Sequence, residues 1–138
     1  RMSHSRTGAL IVVSRKSDLT EYKETGLAVD AIISDQLIES IFFKNNPMHD
    51  GAVIISKNKI TAARCILPVS GSMDLPAEFG LRHRAAIGIT EKNDSVAIIV
   101  SEQTGRISYC REGELTPDIK ASGLKAMLTE DFSFKIKK

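Results

Sequence analysis

The 138-residue chain has no tryptophan, and aromatic residues make up only 5% of it. A surface that stacks the bases of a single strand needs more rings than that. Charge of one sign is equally scarce: 19 Lys and Arg stand against 17 Asp and Glu, a net charge of +2. There is no broad basic field of the kind that holds duplex nucleic acid, so nucleic acid is not expected as a partner. Cys65 and Cys110 are the only cysteines and stand far apart. A zinc knuckle or redox pair is unsupported, and two buried free thiols in a reducing compartment are expected. No run approaches the roughly 18 apolar residues of a membrane helix, and no signal peptide is visible. The Gly-Lys-Ser/Thr signature of a Walker loop is missing. So is the Gly-x-Ser-x-Gly elbow of a lipase-like hydrolase. The chain opens on Arg1, not on a start methionine, and reads as a fragment of a longer protein.

What is present is an ordinary globular balance, 42% apolar and 26% charged. The length predicts one domain over 1–138, with its core from about residue 6 to about residue 128. Ala9 to Val13 is solidly apolar and reads as a central strand buried on both faces. Arg15 to Tyr22 reads as a charged connector with one helical turn, stopped at Gly26. Val29 to Ile33 predicts a short strand. Ser34 then caps a helix whose Leu37, Ile38, Ile41 and Phe42 share one face. Val53 to Ser56 and Ile60 to Leu67 form a hairpin around Lys57-Asn58-Lys59, ended by Pro68. Ser70 to Glu78 reads as a surface loop. A buried helix follows Arg84 and ends near Gly88. Asp94 to Val100 is a strand, and Arg106 to Arg111 returns as an exposed one. Thr116 and Pro117 predict the start of a last helix, with Leu124, Met127 and Leu128 buried. Phe132 to Lys138 reads as a loose basic tail. Strands and helices mix without strict alternation, which predicts an α/β fold with a central mixed sheet flanked by helices on both faces.

Three polar clusters border these apolar runs. The first is His49-Asp50-Gly51, ahead of Ala52 to Ile55. Taken alone it reads as an Asn-Asn-Pro turn and an Asp-Gly bulge entering a strand. Gly51 also permits a sharp turn and close approach by another molecule. The second is Arg82-His83-Arg84. At a helix start this spacing can surround an anion, with arginine forks on phosphate oxygens and His83 as a further donor. A solvated basic turn is the equal alternative. The third is Ser101-Glu102. Asp50 and Glu102 suit a hard divalent cation, and His49 would add a nitrogen ligand better matched to manganese than to magnesium. Glu102 as a plain turn residue, and His49 satisfying a backbone carbonyl, are the structural alternatives. Together the clusters resemble a site for a metal–triphosphate.

Asp50-Gly51-Ala52 and Arg82-His83-Arg84 resemble the two signature motifs of the bacterial diadenylate cyclase domain. Thr7-Gly8-Ala9-Leu10-Ile11-Val12 and Ser101-Glu102-Gln103-Thr104-Gly105 resemble that family's nucleotide-contacting segments. The resemblance runs from about Arg6 to Leu128 and is greatest to the membrane-anchored type, whose catalytic domain follows transmembrane helices. It implies condensation of two ATP into cyclic di-AMP and two pyrophosphates by a face-to-face homodimer, with a divalent cofactor (Mn2+, Mg2+ or Co2+). It places the parent protein at the cytoplasmic face of the bacterial cell membrane, with room for a regulatory partner. Asp50 would position the attacking ribose hydroxyl, and Arg82, His83 and Arg84 would hold the triphosphate. Ser101 would touch phosphate, and Leu10 would read the adenine edge through its backbone. Gly51, Ala52, Leu67, Leu81 and Glu102 complete the ATP-binding set, and His49, Asp50 and Glu102 the metal set. Two positions depart from the family pattern: Leu81 stands where many members carry threonine, and Ile66 where some place an aromatic ring. A non-catalytic nucleotide sensor on the same fold is the alternative, and a metal-dependent phosphodiesterase ranks last.

Overall fold

Five consecutive apolar residues leave neither face of a strand suited to water, and Ala9–Val13 (β1) is buried at every position. The computed structural model describes residues 8–16, 19–43, 50–68, 80–101, 104–120 and 122–123. Among them β1 is the middle of a seven-stranded sheet in the order β2-β4-β3-β1-β5-β6-β7. The other strands are Leu27–Ile32 (β2), Ala52–Ser56 (β3), Lys59–Cys65 (β4), Val96–Val100 (β5), Ile107–Arg111 (β6) and Glu114–Ile119 (β7). Only β1 and β3 pair in parallel, and every other pairing is antiparallel. The mixed sheet predicted from the sequence is therefore the one observed.

Alternation along β1 divides the core. Ala9, Ile11 and Val13 join Ile41 and Phe42 of the helix Asp35–Phe42 (α2), with Leu37 and Ile38 packed alongside. Ser34 starts α2 as predicted, its Oγ accepting from the Leu37 N–H at 3.0 Å. Leu10 and Val12 face the other way, toward Ala86, Ile87 and Ile89 of the helix Leu81–Lys92 (α3). The short helix Thr20–Lys23 (α1) lies on this second side through Tyr22. Helices thus cover both faces.

Several sequence expectations need correction. β2 begins two residues early, at Leu27, and β4 ends at Cys65, before Pro68. The turn between β3 and β4 is only Lys57-Asn58, both left-handed (φ 53° and 61°), which matches the twist of a two-residue hairpin. α3 passes through Gly88 and runs to Lys92. It stops where Asn93 turns extended and its side-chain oxygen accepts from the Ser95 N–H. β6 is not exposed: Ser108, Tyr109 and Cys110 are buried, because Tyr109 joins the core on the α2 side and Cys110 the core under α3, against Thr90. Residues 114–119 form that strand and not the helix expected at Thr116-Pro117. Proline is tolerated there because β7 is an edge strand, and the register shift together with left-handed Asp118 (φ 62°) makes it irregular. The loop 70–78, the residues Leu124, Met127 and Leu128, and the tail 132–138 lie outside the described residues.

Candidate active site

Strand registers decide which ends meet. Ile11 lies beside Val53, and Ala9 beside Val100. Carried outward, these registers bring the start of β1, the entry to β3 at Asp50-Gly51 and the exit of β5 at Ser101 to one end of the sheet. Ala52 beside Cys65 brings Ile66 and Leu67 to the same end. The strands that they adjoin, β3 and β5, flank β1, so at about 4.8 Å per strand those strands run roughly 10 Å apart.

The run of α3 follows from its other terminus. Thr90, in its last turns, meets Cys110 Sγ at 3.2 Å and accepts from the Gly113 N–H at 3.1 Å. Gly113 lies in the β6–β7 turn, at the opposite end of the sheet. Twelve residues at about 1.5 Å each return the helix by about 18 Å, the length of the strands beneath it. Its first turn, with Arg82, His83 and Arg84, therefore lies toward the end that holds Asp50 and Ser101. Gly80 is the N-cap and offers no side chain to the first backbone N–H groups, which suits an incoming anion.

Each candidate has a local reason for its setting. His83 is buried, and burial together with the neighbouring Arg82 charge holds its pKa below the ordinary value. The imidazole is therefore neutral at pH 7 and offers a single N–H. Gly51 has φ 83°, and a Cβ there would lie 2.6 Å from the Cys65 carbonyl oxygen. β4 is thus one neighbour whose close approach this glycine allows. Asp50 is exposed beside it. The Ser101 Oγ accepts from the Thr104 N–H at 3.3 Å, and its backbone closes a tight turn with Arg106 and Gly105. Leu10, Ala52 and Leu67 are buried in one cluster on the α3 side, so Leu10 has only its backbone to offer. Leu81 (75% exposed) and Ile66 (69% exposed) are the contrast, large apolar side chains in water at the same end.

His49 and Glu102 lie outside the described residues. Among the described residues, no three His, Cys, Asp or Glu side chains are grouped to hold a metal ion. The Asp50 carboxylate is a hard, exposed oxygen donor and fits one position around a divalent cation. Sequence reasoning gave no role to Thr25, which the structure ties to the exit of β4. A threonine two residues past a helical turn carries no signal that could have revealed it.

A helix start with two arginines and no side-chain cap, directed toward the sheet end that carries a carboxylate, is an arrangement suited to a phosphorylated ligand. The chain belongs to the DAC family, described as DisA bacterial checkpoint controller nucleotide-binding, whose model matches residues 1–115. It is 45% identical over 131 residues to the cyclic di-AMP synthase CdaA of Bacillus subtilis, covering 95% of this chain and 48% of that protein. It is 48% identical over 130 residues to a diadenylate cyclase of Listeria monocytogenes, covering 94% and 48%. A crystal structure of a DacA double mutant from Staphylococcus aureus superposes with a TM-score of 0.92 at 44% identity, covering 95% of this chain and 87% of that one. The chain spans about half the length of the curated relatives it matches.

Proposed function

We propose that the chain is a diadenylate cyclase domain that joins two ATP molecules into cyclic di-AMP. The 3′-hydroxyl oxygen of each ATP bonds to the α-phosphorus of the other. Each α–β phosphoanhydride bond breaks, and two pyrophosphates and two protons leave. What supports the reading is that the registers put the entry to β3 and the exit of β5 at one end of the sheet, with α3 starting toward that end, in a chain whose relatives are named for this activity.

Phosphoryl transfer asks mainly for in-line positioning and neutralisation of charge. Arg82 and Arg84 fork onto phosphate oxygens, and neutral His83 donates its N–H. Asp50 orients the attacking hydroxyl, and the Ser101 hydroxyl donates to phosphate. Asp50, with His49 and Glu102, would hold a divalent ion (Mn2+, Mg2+ or Co2+), which when bound offsets the charge of the triphosphate. One domain holds one ATP, so a face-to-face homodimer supplies both nucleotides. A solved relative from Bacillus cereus, titled a hypothetical membrane spanning protein and 44% identical to this chain, supports a membrane-anchored parent at the cytoplasmic face of the bacterial cell membrane, open to a regulatory partner. None of the described helices is itself long and apolar enough to cross a membrane.

Incubation of the purified chain with ATP and manganese, read by mass spectrometry, yields cyclic di-AMP. Asp50→Asn lowers the yield by about 100-fold or more. No cyclic dinucleotide across several metals and high protein concentrations overturns the reading, and tight ATP binding without turnover would favour a sensor.

A further inference from the structure

Ile66 is the first residue beyond β4, and its N–H is held by a side chain: it donates to Thr25 Oγ1 at 2.8 Å. The same hydroxyl donates to the Tyr22 carbonyl at 2.6 Å, at the end of α1. Next to it Gly26 lies so close to β4 that a Cβ would strike the Ala63 carbonyl oxygen and the Cys65 Sγ. The corner between α1 and β2 is thus seated on the last residues of β4. One of its side-chain bonds reaches the residue where the chain leaves the sheet. From there the chain turns the Ile66 side chain outward and the Leu67 side chain inward, against Leu10, Ala52 and Ala86.

We propose that Thr25 is a positioning residue: its hydroxyl fixes the Ile66 backbone so that the exposed Ile66 side chain stands as an apolar wall for the purine base of the bound nucleotide. The inference rests on the nucleotide-binding reading above. Thr25 is exposed, so water can replace its hydroxyl at the Ile66 N–H with little loss of stability. What water does not supply is the fixed phase of the chain at 66 and 67. A merely structural role and a positioning role therefore separate.

The test uses the full chain and calorimetry with α,β-methylene-ATP and magnesium, whose bridge is not cleaved, so that binding is read without turnover. Thr25→Val keeps the volume and removes the hydroxyl, and weakens binding about fivefold. Thr25→Ser retains affinity within about twofold. In an Ile66→Ala background Thr25→Val has no further effect, because the wall it positions is gone. Unchanged affinity in Thr25→Val, or an equal loss with and without Ile66, overturns the proposal. Analogue binding that follows this pattern while ATP gives no cyclic di-AMP sinks the cyclase reading alone. A chain that binds no analogue sinks both.

Discussion

Two residues of the site show how one side chain, or the lack of one, governs its surroundings. His83 has its pKa lowered first by burial and then by Arg82, so the folded protein binds a proton there less readily than the unfolded chain. Stability is then unaffected above the ordinary histidine range of about 6.5 and falls as pH drops below it, through the lowered folded value. Denaturant unfolding of the free protein is expected to weaken across that acid window, and His83→Gln flattens this part of the profile. Gly51 works through absence: φ 83° and the Cys65 carbonyl leave no room for a Cβ. Gly51→Ala is expected to cost about 1–3 kcal/mol by chemical denaturation, from the left-handed backbone and displacement of β4. The types of these residues were legible in the sequence. The sharp turn at Gly51 was legible too, and φ 83° bears it out; the crowding by Cys65 was not, because that neighbour comes from a strand paired across the sheet.

Among the elements, α3 depends on an anchor far from its functional end. The Thr90 hydroxyl donates to the Ala86 carbonyl at 2.8 Å and accepts from Gly113 N–H in the β6–β7 turn. Thr90→Val strands a partly buried amide, and a loss of about 1–3 kcal/mol is expected from thermal or denaturant unfolding. The helix start at Arg82 was readable because small and apolar residues follow it. The β6–β7 hairpin was not. Its turn is Glu112-Gly113, with both residues left-handed, where asparagine or aspartate usually precedes the glycine. Thr116-Pro117-Asp118 also carries the residue types of a helix start, and only pairing with β6 makes it a strand. Local composition spoke for one element and the tertiary partner chose another. β1 had no such conflict, since five apolar residues in sequence admit a central strand and little else.

For the whole molecule, the proposed reaction needs two copies, because one domain presents one site end. Specific activity is expected to rise with protein concentration and level off once pairing saturates; a flat dependence down to nanomolar protein would argue against pairing as a requirement. Family membership was legible because its motifs fall at strand ends and a helix start. A shared rim was expected because each cluster borders an apolar run; the registers across β3, β1 and β5 that align those strand ends were not legible. Both margins of the sheet are irregular: β2 shifts register around left-handed Asp30, and β7 carries Pro117 and left-handed Asp118. A border so interrupted is a poor template for another chain's hydrogen-bonding ladder. Crowded copies are thereby discouraged from growing sideways into fibrils.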